Sequence, residues 1–149
     1  MSHVVAIELQ VKDLMALREA CEAMGAELVL GQTTYKWYGR WMNDFSGENA
    51  AYRKIDPKKY GTCDHAIKHP KCGYEIGLMK QDDGSFMVVA DEWGQGGLPV
   101  VFGHGMSKLK QRYSTAVAAK SMRRQGFQVK EVEDDETGYV KLVCSNENN

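Results

Sequence analysis

Proline is nearly absent, three in 149 residues, and no repeat or low-complexity tract interrupts the chain. Long disordered linkers come from such biased composition, so its absence argues for a single domain over residues 1–149. No apolar run approaches the ~18 residues a membrane-spanning helix needs, and the amino end carries no basic stretch followed by an apolar one. The chain is therefore expected to stay in the compartment where it is made, with no membrane partner. Four cysteines (Cys21, Cys63, Cys72, Cys144) are too few and too scattered for a disulfide framework, which points to a reducing cytoplasm. Four histidines, with no Ser-His-Asp or Cys-His set that spacing alone assembles, leave catalysis without a visible centre. A net charge of −1 excludes a uniform field that would gather nucleic acid.

What is there is ordinary in amount and uneven in placement. At 43% hydrophobic and 26% charged, the chain resembles a globular domain able to bury roughly two-thirds of its unfolded surface. Residues 104–126 hold Lys108, Lys110, Arg112, Lys120, Arg123 and Arg124 without an acid, whereas Glu131, Glu133, Asp134, Asp135 and Glu136 form an acidic turn.

The clearest local signal lies between Gly73 and Gly94. Tyr74, Ile76 and Leu78 alternate with Glu75, Gly77 and Met79; Phe86, Val88 and Ala90 alternate with Met87 and Val89; Asp82-Asp83-Gly84 stands between. Period-two alternation about such a turn predicts a hairpin, and a second strand as apolar as FMVVA belongs in mid-sheet. Before it, Val5, Ile7, Leu9 and Val11 alternate as a strand. Asp13 then caps a helix carrying Leu14, Leu17, Cys21 and Met24, which Gly25 ends, and Ala26–Leu30 is a short strand. Thr62–His69 reads as a further strand. A helix from Met106 to Gln125, with Met106, Leu109, Tyr113, Ala116 and Val117 on one stripe, stops at Gly126. Phe127–Val132 and Tyr139–Cys144 alternate as a closing hairpin. The order predicts an α+β domain: an antiparallel or mixed β-sheet with two helices packed on one face. Residues 41–60 read as a long loop or insertion, and 94–105 as a glycine-rich connection.

Several fragments in order carry a resemblance: Met1-Ser2-His3, Lys12-Asp13-Leu14 with Leu17, Tyr38-Gly39, Gly73-Tyr74-Glu75-Ile76-Gly77, Gly84, Ala90-Asp91 before Trp93-Gly94, Gln111 with Tyr113, and Gly126-Phe127. Together they resemble the hypothetical chloroplast reading-frame thirty-five family, a small domain of unknown function in plastids and bacteria, with relatives expected in phages. The resemblance implies a single α+β domain and transfers no catalytic residue. Bacterial relatives often sit beside genes for ring-forming ATPases, which implies an adaptor.

Four candidate chemistries follow from the residues. Cys63, His65, His69 and Cys72 are zinc-type ligands. On a strand, however, His65 and His69 would lie about 13 Å apart, too far for one metal, so no metal site and no cofactor are expected. Glu75, Asp91 and Glu92 near the central hairpin support acid–base catalysis only weakly, and Asp91, at a strand end before Trp93-Gly94, is more simply a turn or capping residue. The amides of Gly103 to Met106, with Ser107 and Lys108, could hold a phosphate at a helix start, though the P-loop pattern is not met. Aromatics interleaved with Arg40, Arg53, Lys54, Lys58 and Lys59, joined by Lys108 and Arg112 of the basic helix, could contact nucleic acid or another anion.

Leu98, Val100, Val101 and Phe102 lie in a segment with five glycines among its twelve residues, 94–105. Such a patch either adds a strand to the chain's own sheet or docks a protein partner, including a second copy. The expectation is a binding or adaptor domain without catalytic activity, with a nucleic-acid-binding accessory protein as the alternative.

Overall fold

Alternating strands organise the chain in the computed structural model, which describes residues 4–37, 61–134, 136 and 140–146. Five strands form one antiparallel sheet: β1 (Val4–Val11), β2 (Glu27–Leu30), β3 (His65–Lys68), β4 (Ile76–Lys80) and β5 (Phe86–Asp91), in the spatial order β1-β5-β4-β3-β2. The predicted hairpin is β4–β5, paired from Gly77↔Val89 to Lys80↔Phe86, and both strands are internal, as so apolar a sequence requires. Tyr74 falls outside the strand, and the expected strand over 62–69 narrows to four residues. Thr62 instead bridges Thr34.

Two long helices, α1 (Leu14–Ala23) and α3 (Ser107–Arg124), cover one face of this sheet. Ile7, Val11, Ile76, Leu78, Phe86, Val88 and Ala90 meet Ala16, Leu17, Cys21, Leu109, Tyr113 and Ala116 in the main core. The architecture is α+β. Asp13 caps α1 through the amides of Met15 and Ala16, and Gly25 and Gly126, both at positive φ, follow the ends of α1 and α3. The α3 stripe turns slightly from the predicted one. Leu109, Tyr113, Ala116 and Ala119 are buried, and Val117, one residue off that face, is exposed.

The opposite face carries Val4, Ala66 and Val89 with Tyr35. A Cβ on Gly77 would sit 2.7 Å from Tyr35 Cε1 and 3.0 Å from Val89 Cγ2, so the ring lies directly on the glycine. That contact explains a glycine in a central strand.

The glycine-rich connection holds a helix where a strand or docking loop was expected. LPVVF forms α2 (Leu98–Phe102). Pro99 suits a helix's first turn, and a 3-10 turn at Gly94–Gly96 leads into Gly97 at φ 84°. The last two strands, β6 (Phe127–Glu133) and β7 (Val140–Asn146), form a separate antiparallel ribbon beside α3.

Candidate functional site

Three places hold the residues singled out by sequence, and each resolves differently.

The first is the edge where β2, β3 and the start of β4 meet. A cleft of about 440 Å³ opens there, lined by Lys36, Lys68, His69, Cys72, Glu27 and Glu75 among others. Glu75 is 8% exposed. Its Oε1 accepts from the Gln32 side-chain amide (3.1 Å) and the Lys36 backbone amide (2.9 Å), while its own amide donates to the Lys36 carbonyl (2.8 Å). These bonds strap the segment ahead of residue 38 to the sheet. Among the described residues Oε2 pairs with Lys68 Nζ, at 3.9 Å. His69 forms part of the wall. Its Nδ1 accepts from the Lys71 amide (3.0 Å), which places the ring proton on Nε2, facing the Met24 carbonyl at 3.1 Å. Its ring meets Phe102 edge-on at 6.0 Å.

The four zinc-type residues are spread over this region, each with its own use. The Cys63 thiol donates to the Gln32 carbonyl (3.2 Å), and burial pushes its pKa up to about 11. His65 Nδ1 accepts from the Gly31 amide (2.9 Å), and its ring sits 5.2 Å from Phe86. Burial also raises the Cys72 pKa. Among the described residues no three His, Cys, Asp or Glu side chains come together as a metal site.

The second place is the turn from β5 into α3. Asp91 is fully buried and accepts from the Trp93 amide (3.0 Å); Glu92 accepts from the Gly105 amide (2.9 Å). The Gly103 and Met106 amides donate to the Pro99 and Gly103 carbonyls. Three of the amides expected to cradle a phosphate, those of Gly103, Gly105 and Met106, are thus taken within the chain, one by the carboxylate of Glu92. Asp91 and Glu92 serve backbone amides at this turn, and Glu75 serves one at the cleft. Of the four residues expected to dock a partner, Leu98 and Phe102 are each 1% exposed, Val101 packs partly against the core, and only Val100, at 77%, faces out. Helical spacing is the reason: positions i and i+4 share the inward face and i+2 opposes it.

The third place is the surface of α3 and the ribbon. Phe127, Val129, Val140 and Leu142 alternate on its half-buried side, and Arg112 of α3 reaches Glu133 at 3.6 Å. The other side pairs Lys130 with Val143 and Val132 with Lys141, leaving Val132 39% and Val143 50% exposed. Sequence reasoning missed this patch because the alternation that marks a strand does not say which side finds a cover. Lys108 lies exposed on α3. Arg40, Arg53, Lys54, Lys58 and Lys59 lie outside the described residues, as does the loop proposed for 41–60.

No helix among the described residues is long and apolar enough to cross a membrane. No curated protein and no solved structure matches the chain. One family model matches residues 47–143, a span from before β3 into β7 that contains the cleft carboxylate, α2, α3 and most of the ribbon. The chain belongs to the family described as Protein of unknown function (DUF1257).

Proposed function

We propose that this chain is a cytoplasmic adaptor domain without catalytic activity, acting through protein–protein contact on the outer side of the β6–β7 ribbon. The single observation behind this reading is the state of that ribbon. A two-stranded ribbon is marginal in water, and this one has α3 on one side only, with Val132 and Val143 exposed on the other. Among the described residues β6 and β7 pair only with each other, so both outer edges are open to a further strand. Lys130 and Lys141 flank the two valines, which favours an acidic rim on the partner. Within the family the ordered fragments from Lys12-Asp13-Leu14 to Gly126-Phe127 favour the hypothetical chloroplast reading-frame thirty-five group, whose gene neighbourhoods agree with an adaptor. Four free thiols accord with a reducing compartment.

Affinity purification from the native host, with the wild type beside a Val132→Asp/Val143→Asp double variant, tests the reading. A defined protein should co-elute with the wild type and be lost from a variant that melts as the wild type does. Loss of a dimer mass instead identifies the partner as a second copy. Identical co-eluting proteins for both forms would remove the ribbon as the docking surface.

A further inference from the structure

The cleft beside β3 is distinct from the ribbon and remains without a role in protein docking. At its floor the Glu75 side chain, about nine-tenths buried, has one of its two oxygens filled by hydrogen bonds among the described residues. Glu75 Oε2 faces Lys68 across 3.9 Å, beyond hydrogen-bond reach, and Lys36 and Lys68 line the same cleft. That oxygen is open to the cleft, and its lone pairs can accept O–H or N–H groups from whatever enters. Lys36 and Lys68 are matched in the cleft by Glu27 and Glu75, so a bare cation meets the lysines and a bare anion meets the carboxylates. A ligand that suits all four groups carries an anion at one end, for the lysines, and neutral hydroxyl donors at the other, for the carboxylates. Lysine is a common binder of phosphate, and a buried carboxylate is a common acceptor for sugar hydroxyls. A volume of about 440 Å³ lies within the range of small-molecule sites. The His69 ring, fixed at both nitrogens, supplies a rigid wall.

We infer that the cleft binds a small phosphorylated polyol, a sugar phosphate or a nucleoside monophosphate, with its phosphate on Lys36 and Lys68 and a hydroxyl on Glu75 Oε2. Binding would draw Lys68 from its long contact with Glu75 to the phosphate, a small movement for a side chain 47% exposed.

Titration calorimetry of the full chain at low ionic strength tests this with ribose 5-phosphate, adenosine 5′-monophosphate, ribose and inorganic phosphate. Ribose 5-phosphate or the nucleotide should bind with a Kd below about 1 mM, and at least tenfold tighter than phosphate or ribose alone. Binding of the nucleotide only places a base in the cleft; binding of both makes the phosphorylated sugar the recognised part. Lys68→Met, at a half-exposed position that leaves the fold in place, should weaken binding about tenfold. Glu75→Gln should weaken the sugar phosphate while leaving inorganic phosphate unchanged; if that variant melts early, Lys36→Met and Lys68→Met together decide the question. No binding by either phosphorylated compound overturns the inference. So does equal binding of inorganic phosphate, or full affinity in the lysine variants.

Discussion

Lys120 of α3 donates to Asp13 Oδ2 across 2.7 Å while Asp13 Oδ1 caps α1 by accepting from the amides of Met15 and Ala16. Tyr113 of α3 lies one step away, its hydroxyl accepting from the amides of Lys12 (3.0 Å) and Asp13 (3.2 Å). The start of one helix is therefore held by the middle of the other, more than a hundred residues later. This joint fixes where the chain leaves β1 and how α1 lies against α3 above the sheet.

The joint has a signature in pH. The hydrogen bond from Lys120, then that from the Ala16 amide, holds the Asp13 carboxyl below its ordinary value of 3.8. A depressed carboxylate stabilises the fold in full above the unfolded value, and that contribution is lost as pH falls through the folded one. Asp13→Ala should lose about 1 kcal/mol at pH 7 through the missing cap. Asp13→Asn keeps a cap and loses only the ion pair, which is partly exposed and worth about 0.5 kcal/mol. Urea midpoints for wild type and Asp13→Asn should converge below about pH 3.8. A gap that stays constant with pH would show that Lys120 contributes nothing through charge.

Tyr35 on Gly77 gives a steric prediction. Gly77→Ala must displace either the Tyr35 ring or Val89, since the added carbon would stand 2.5 Å from the nearest atom of one and 3.0 Å from the other. Overpacking of this kind typically destabilises by 1–3 kcal/mol, roughly. Pairing it with Tyr35→Leu should recover part of that loss in chemical denaturation. Full additivity of the two changes would mean that ring and glycine do not touch.

For α2 the expectation is an asymmetry within five residues. Phe102→Ala should destabilise by about 3–5 kcal/mol, as a fully buried aromatic does. Val100→Ser, at a position 77% exposed, should stay within about 0.5 kcal/mol. Equal losses at both positions would refute the helical register.

How much of this could be read beforehand follows from range. The β4–β5 hairpin, Asp13 as a cap and Gly25 and Gly126 as stops depend on neighbours a few residues apart, and all stood in the sequence. So did the order of the seven strands and the two long helices, because hydrophobic period changes with element type. LPVVF is ambiguous for a related reason: five apolar residues hold too few repeats to separate period 2 from 3.6, and the structure resolves them as a helix with Pro99 in its first turn. The cleft was invisible. Glu75 read as one alternating position of a strand, and only the pairing of β2 with β3 brings Lys68 and the segment of Gln32 and Lys36 beside it. The ribbon's open side is likewise a fact about what packs on α3.

The basic helix bears on the nucleic-acid alternative. Arg112 is engaged by Glu133 and Lys120 by Asp13, leaving Lys108, Lys110, Arg123 and Arg124 for phosphates on α3. Four contacts give a log–log salt slope of at most about 4 on duplex DNA. A gel shift should show any complex weakening steeply between 50 and 200 mM salt, by roughly two orders of magnitude. A complex that survives 200 mM salt with a steeper slope would require cations beyond this helix and move the reading to nucleic acid.

The last prediction uses the thiols as reporters of packing. Cys21 is fully buried in the main core, and burial pushes its pKa up to about 12; Cys63, half-buried, is pushed up to about 11, and Cys72 is raised by the same cause. Cys144 lies exposed on β7. The thiolate is the species that attacks a disulfide reagent, and at pH 8 a thiol of pKa 12 is ionised about once in ten thousand molecules. An aromatic disulfide reagent added to the native protein should therefore modify Cys144 first, and Cys144→Ser should abolish that fast phase. The Cys63 phase should accelerate roughly tenfold per pH unit from pH 8 to 10, as its thiolate fraction grows below the raised pKa. Cys21 should react only at the rate of global unfolding, with all four thiols available at once in denaturant. A fast phase that persists in Cys144→Ser would show that Cys63 or Cys72 is more open than its burial implies, and a Cys21 that reacts without unfolding would show that α1 opens from the sheet far more readily than its sealed core implies.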